Sequence, residues 1–355
     1  MEMLYVILCL IASIFLTPFV KKLALKYHII DKPNERKIHQ TNMPRLGGLA
    51  IYASFIIGLL IFRPHDENMI YLVIGSLIIV ATGILDDIFD LAPRYKLLGQ
   101  LLAAGVAVSG GFDLEFINLP FGGELEFGIL SVPITILWIV GITNAINLID
   151  GLDGLAAGVS SIALVTISLM AFLQGDIFVL AIGLMMLGST LGFLVYNFHP
   201  AKIFMGDTGA LFLGYMIALL SLLGFKNITF FSLIIPVIIL GVPISDTFFA
   251  IIRRIINKKP LMAPDQLHLH HRLLNSGFSH RQAVLVIYGV AVMFSLAAVI
   301  FSMATVWGSL LLIVVLLIGI EILVEIIGLV SKDYKPLLRI IGMKQNDRPI
   351  DRKRA

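Results

Sequence analysis

The sequence predicts an all-α polytopic membrane protein: a bundle of about 11 transmembrane helices, N-terminus outside and C-terminus cytoplasmic, with a small external β-hairpin. Three observations lead there. Of the 355 residues, 58% are hydrophobic and 14% charged, whereas soluble domains run near 45–50% apolar and about 25% charged. The chain therefore lacks the polar groups to cover a water-facing surface, and a soluble enzyme, a disordered chain, a coiled coil and a free nucleic-acid binder are excluded together. The apolar residues are gathered into long continuous runs, and Lys and Arg fall almost wholly on alternate sides of those runs.

The runs span residues 3–20, 47–62, 68–85, 97–111, 132–149, 155–173, 177–195, 210–225, 228–252, 283–303 and 305–330. They are continuous rather than alternating, which favours helices over strands in lipid, where unpaired backbone groups are costly. Several fall short of the ~17–25 residues that span hydrocarbon, so flanking residues must contribute. Only Met303, Ala304 and Thr305 divide the last two runs. Alternate loops hold 24 of the 26 Lys and Arg, leaving Arg63 and Lys226 on the other face. By the positive-inside rule the rich face is cytoplasmic. The start Met1-Glu2-Met3 has no basic n-region, so the first run reads as an uncleaved anchor. Cys9 has no partner for an internal disulfide. Residues 1–330 are expected to form one integral-membrane domain, followed by a basic cytoplasmic tail, 331–355, suited to anionic lipid.

In residues 112–130, Phe112, Leu114 and Phe116 alternate with Asp113 and Glu115. Beyond Gly122-Gly123, Leu125, Phe127 and Ile129 alternate with Glu124, Glu126 and Gly128, the pattern of a hairpin at the outer interface.

The chemistry-bearing residues lie in the loops assigned to the cytoplasm. Asp86, Asp87 and Asp90 follow the third run. If the helix continued, Asp86 and Asp90 would share a face, and three close acids repel unless a cation neutralises them. A solvated helix end with Arg94 and Lys96 as counter-ions is the plainer alternative. Asn144, Asn147, Asp150 and Asp153 recur every three residues, with Gly151 and Gly154 giving backbone access to a ligand. Asp153 also reads as an N-cap. Asp207, between Gly206 and Gly209, either caps a helix or holds a hard cation. His268, His270, His271 and Arg272 sit in the longest inner loop; with no cysteine nearby and Arg272 adjacent, anion binding fits better than zinc. Lys37, His39 and Arg45 precede Gly47-Gly48. Carboxylates for a divalent ion beside cations for anions, at a membrane surface, suit a diphosphate substrate and phosphoryl transfer.

These residues resemble the polyprenyl-phosphate N-acetylhexosamine-1-phosphate transferases, glycosyltransferase family 4, over nearly the whole chain. The resemblance rests on the Lys37 to Gly48 segment, Asp86-Asp87, Asn147 to Gly154, Met205-Gly206-Asp207 and the His270-His271 loop. It implies a helical bundle of ten or eleven spans in which undecaprenyl phosphate attacks the sugar-bearing phosphorus of a UDP-sugar, releasing UMP. Mg2+ is the implied cofactor, with Mn2+ as a substitute. By the same resemblance Asp207 is a metal ligand assisted by Asp87, Asp86 orients or deprotonates the acceptor, and Asp86, Asp87, Asp153 and His270 are assigned catalytic roles. Asn147, Asp150, Gly151, Leu152, Asp153, Asn197 and Phe204 match the nucleotide side, and Lys37, His270, His271 and Arg272 match phosphate contacts. The His268-Leu269-His270-His271-Arg272 run resembles the N-acetylglucosamine branch, which starts teichoic acids and related polymers. Phospho-N-acetylmuramoyl-pentapeptide transferases typically carry three consecutive His. The expected partners are UDP-N-acetylglucosamine, undecaprenyl phosphate and the lipid bilayer, with no nucleic acid and a homodimer as the assembly to test.

Two other classes compete. Intramembrane prenyltransferases need a second Asp-Asp-x-x-Asp element, which Asp150 and Asp153 supply poorly. A transporter would use Pro236 and Pro243 to break the ninth run, with Asp246, Glu321 and Glu325 in or near the membrane. The polar residues gather on one face instead.

Overall fold

Over the described residues each of the eleven apolar runs is largely helical in the computed structural model, which describes residues 2–31, 42–64, 66, 68–118, 123–225, 233–258, 267–327 and 336–340. The first half of the chain forms α1 (Glu2–Lys26), β1 (Ile30–Asp31), β2 (Met43–Pro44), α2 (Gly48–Phe62), α3 (Met69–Phe89) and α4 (Pro93–Ser109). Then come β3 (Phe116–Asn118), β4 (Glu124–Glu126), a 3₁₀ turn (Gly128–Leu130), α5 (Ser131–Ile149), α6 (Leu155–Gln174) and α7 (Ile177–Asn197). The remainder is α8 (Gly206–Phe225), α9 (Ile234–Ile239), α10 (Gly241–Ile256), α11 (Leu269–Asn275), α12 (His280–Met303), α13 (Val306–Ile327) and α14 (Pro336–Ile340). Among the described residues eight helical segments are long and apolar enough to cross a membrane, and the chain is a multi-pass membrane protein. At about 1.5 Å per residue, the 15 residues of α2 reach about 22 Å, short of the ~30 Å hydrocarbon.

The ninth run is not one helix. It divides at Leu240 into α9 and α10, with Pro236 and Pro243 on either side of the break. Neither proline has an amide hydrogen for a helix ladder. The last two runs are separate helices, as Met303, Ala304 and Thr305 foretold.

At the centre stands α8, apolar all round and fully buried from Ala210 to Leu213 and from Tyr215 to Leu220, as a helix surrounded by helices must be. It packs on α2, α3, α5, α6, α7 and α9. Phe15 and Phe19 of α1 and Trp307, Leu311 and Leu317 of α13 face outward, where lipid rather than water suits them. Several buried hydroxyls are spent locally: Thr143 donates to the Ile139 carbonyl, and Ser189 to that of Met185.

The hairpin forms, over a shorter stretch than its alternation suggests. Antiparallel pairing joins Phe116 to Glu126 and Asn118 to Glu124. Phe112 and Leu114 are instead buried, and the Leu114 amide donates to Thr135 Oγ1 at 2.9 Å. Burial of two large side chains outweighed strand pairing there. A second pair, β1 with β2, has no sequence signal. It leads into Arg45, which bridges Phe204, while Gly47 and Gly48 amides donate to the Phe204 and Met205 carbonyls. These bonds tie the start of α2 to the segment leading into α8.

Candidate active site

The ends of α3 and α5 and the starts of α4 and α8 meet around one cation. Lys96 lies in the first turn of α4, which opens with Pro93, a residue suited to that position. Its Nζ donates to Asp207 Oδ2 at 2.8 Å and Asn147 Oδ1 at 3.2 Å and stands 3.1 Å from Asp86 Oδ2. Asn147 Nδ2 in turn donates to Asp207 Oδ1 at 2.6 Å. One turn deeper, Gln100 and Asn144 exchange two amide hydrogen bonds, of 3.2 and 2.7 Å, joining α4 to α5 beneath this cluster.

Asp87 belongs to the same group but does a different job. Both its oxygens are occupied: Oδ1 accepts from the Asp207 amide (2.9 Å) and Arg45 Nε (2.8 Å), Oδ2 from the Thr208 amide (3.0 Å) and Thr208 Oγ1 (2.6 Å). This carboxylate from α3 thus caps the N-terminus of α8, where free amides and the helix dipole favour negative charge. Gly206, at φ +71°, makes the approach possible, since a Cβ there would collide with the carboxylate. Arg45 also reaches Asp90 at 3.3 Å and Asp207 at 3.8 Å. Burial works against its charge, but Asp87, Asp207 and Asp31 outweigh that and hold the guanidinium above its ordinary pKa.

Asp90 does not continue the helix. It takes a left-handed conformation (φ +46°) with its side chain 87% exposed, so the shared face expected for Asp86 and Asp90 is not formed. The Leu91 amide turns back to Asp86 Oδ1 at 2.8 Å. Asp150, just past α5, is half-buried; burial, with the negative charges of Asp207 and Asp87, pushes its carboxyl up to about 7.

A second group forms around Asp153. The cap expected of it is absent: Gly154 stands at the start of α6, and Asp153 Oδ2 is instead 2.7 Å from His199 Nδ1 and accepts from the Ala201 amide at 3.1 Å. The Asp153 amide donates to His280 Nε2 at 3.0 Å, and the rings of His199 and His280 stack 4.2 Å apart. Asn197, buried, accepts from the Gly154 amide and donates to the Ile203 carbonyl, clamping two loops together. Leu152 is buried, Gly151 exposed and Phe204 partly buried. In α11, His270 is buried against Gly151, with His271 tilted on it at 4.2 Å and Arg272 following, both partly buried. Burial, then the positive charge of a protonated His271, lower the His270 pKa to about 3, so this ring is neutral near pH 7. Lys37 lies outside the described residues.

The structure therefore brings Asp86, Asp87, Asn147 and Asp207 into one network and sets His270 beside the Gly151 loop. Sequence reasoning passed over Lys96 as a mere counter-ion and missed His280, Thr208 and Gln100. A lone lysine ten residues after Asp86, at the head of an apolar run, was the available signal for Lys96.

Residues 69–225 match the sequence model of glycosyl transferase family 4. A relative from Bacillus subtilis, described as a probable undecaprenyl-phosphate N-acetylglucosaminyl 1-phosphate transferase, is 52% identical over 336 residues, 94% of each chain. The chain belongs to glycosyl transferase family 4. A decaprenyl-phosphate N-acetylglucosaminephosphotransferase of Mycobacterium leprae is 33% identical over 89% of this chain and 88% of its own. A phospho-N-acetylmuramoyl-pentapeptide-transferase of Halalkalibacterium halodurans is 30% identical over 83% and 94%. The family 4 match runs from the start of α3 to the end of α8, and so contains Asp86, Asp87, Lys96, Asn147, Asp150, Asp153 and Asp207.

Proposed function

We propose that this family 4 protein transfers N-acetylglucosamine-1-phosphate from UDP-N-acetylglucosamine to undecaprenyl phosphate, giving undecaprenyl-diphosphate-N-acetylglucosamine and UMP, at the cytoplasmic face of the bacterial cell membrane. The observation that carries this reading is the meeting of Asp86, Asn147 and Asp207 oxygens on a single cation, Lys96 Nζ, at one end of the bundle. The similarity to the Bacillus relative, at 52% identity, favours N-acetylglucosamine as the sugar.

The donor set suits Mg2+: Asp207, Asp86 and Asn147 offer hard oxygens, and Asp150 lies within reach of the Asp207 charge. Asp87 fits a ligand role poorly, because donors fill both its oxygens; it holds Asp207 in place instead. When bound, Mg2+ supplies charge neutralisation for the diphosphate. The chain's own residues do the rest. Lys96 and Arg45 offset negative charge as an acceptor phosphate oxygen forms its bond to the sugar-bearing phosphorus and the bond to the UMP oxygen breaks. Asp86 orients the acceptor phosphate. Asp153 and the Gly151 loop form the nucleotide side, braced by Asn197, with Phe204 offering a ring for the base and His270 an imidazole N–H for phosphate. The acceptor's prenyl chain finds an apolar groove of about 510 Å³ between α10, α12 and α13, lined by Phe249, Val290, Phe294, Leu312 and Leu316 and reaching Leu269 at the start of α11.

Purified protein with undecaprenyl phosphate should release UMP from UDP-N-acetylglucosamine only when Mg2+ or Mn2+ is present. Preference for UDP-N-acetylmuramoyl-pentapeptide would overturn the donor assignment, and metal-independent release the cofactor.

A further inference from the structure

Asp246 lies in α10, past the break at Leu240, and is 2% exposed. A carboxylate so deeply buried is costly unless its oxygens are satisfied. Both partners come from one distant segment: Oδ2 stands 2.9 Å from His268 Nδ1, and Oδ1 accepts the Leu269 amide at 2.8 Å. His268, itself buried, precedes α11 in extended conformation, and its side chain does not cap that helix. Asp246 supplies the missing acceptor from another part of the chain.

The consequence reaches the donor pocket. The rings of His268 and His270 lie parallel, 5.9 Å apart. His270 packs so closely on Gly151 that a Cβ at 151 would collide with Nε2. With seven residues, α11 is too short to hold its own place, since an isolated helix of that length is marginal in water. Burial of Leu269 and Leu273 packs it on α12 and α13, and the bonds from Asp246 fix its first turn.

We propose that Asp246 is a positioning residue of the transfer reaction: through His268 and the Leu269 amide it fixes α11, and through α11 it holds His270 against Gly151 beside Asp150. This rests on the reading of the Gly151 loop and His270 as part of the donor pocket.

Two readouts test it, one independent of turnover. In a Cys9→Ser background, cysteines placed at 151 and 270 are joined by a short bifunctional thiol reagent, in the full chain in membranes. Asp246→Ala and His268→Gln should slow the cross-link at least tenfold. His268→Asn, whose amide nitrogen takes the place of Nδ1, should keep the parent's rate within about threefold. With His270 intact, Asp246→Ala and His268→Gln should lower kcat for UMP release at least tenfold, with His268→Asn close to the parent, and Asp246→Ala should add nothing to the loss caused by His270→Ala. Unchanged cross-linking in Asp246→Ala, equal behaviour of the Asn and Gln variants, or a full further loss in the His270→Ala background would overturn the proposal. Cross-linking that follows the expected order in a chain with no UMP release would leave the positioning intact and overturn the reaction assigned to the pocket.

Discussion

Lys96 Nζ and Asp207 Oδ2 are 2.8 Å apart, joining the first turn of α4 to the first turn of α8 across 111 residues of sequence. The same ammonium meets Asp86 and Asn147, so one side chain ties four helix ends together. Lys96 is thus the shared counter-charge of Asp86 and Asp207.

Lys96→Met removes the positive charge and keeps the length of the stem. Loss of a preorganised donor to a developing anion typically costs ~10²–10³ in kcat. A loss of that size, with the KM for UDP-N-acetylglucosamine changed less than tenfold, is expected in an assay of UMP release. A retained kcat would show that this ammonium does not act on the transferred phosphate.

Asp87 and Asp207 should separate stability from metal binding. Asp87→Ala strips the cap from α8 and leaves the Arg45 guanidinium without its nearest partner, a change worth about 3–5 kcal/mol when a buried pair is broken. Thermal unfolding in detergent should show a marked drop. Asp207→Ala should unfold closer to the parent temperature yet lose Mn2+ binding measured by electron paramagnetic resonance. The reverse pattern would exchange the two roles.

The Gln100–Asn144 pair should behave as one unit. Asn144→Ala leaves the buried Gln100 amide without its partner, at a cost of about 1 kcal/mol, whereas Gln100→Ala leaves Asn144 its bond to the Val140 carbonyl and should cost less. The double change should cost less than the sum of the single ones, which a double-mutant cycle of unfolding free energies reads directly. Additive effects would mean that the two amides do not bind each other.

His270 gives a pH dependence with a fixed sign. Its folded pKa, about 3, lies below the ordinary value of 6.5, so the unfolded chain takes up the proton first as pH falls. This residue's contribution to stability is complete above about 6.5 and is lost as pH drops toward 3. His270→Asn should therefore lose less thermal stability than the parent between pH 7.5 and pH 5. An equal or larger loss would contradict a neutral, buried ring.

The helices were legible because lipid demands long apolar runs, and each run is helical over most of its described residues. Their breaks were less so: Pro236 and Pro243 mark the ninth run, but the division at Leu240 depends on how α9 and α10 pack. Of the candidate site, the acids stood out because charge is rare in this chain. Their individual tasks did not, because Asp86 and Asp87 are adjacent and identical in type, and only the N-terminus of α8 distinguishes them. The tie between Asp246 and His268 spans 22 residues with no periodic signal.

The reciprocal amides of Gln100 and Asn144 carry no net charge, and this gives the bundle a sealed floor. Below them α4 and α5 continue through Ala103, Ala107, Ile139 and Ile142, all buried, while Thr143 and Tyr215 spend their hydroxyls on the carbonyls of Ile139 and Ala103. Among the described residues, neither α4 nor α5 carries a charged side chain between this pair and its far end. The charge gathered at Lys96, Asp86 and Asp207 is in this way confined to one end of the bundle.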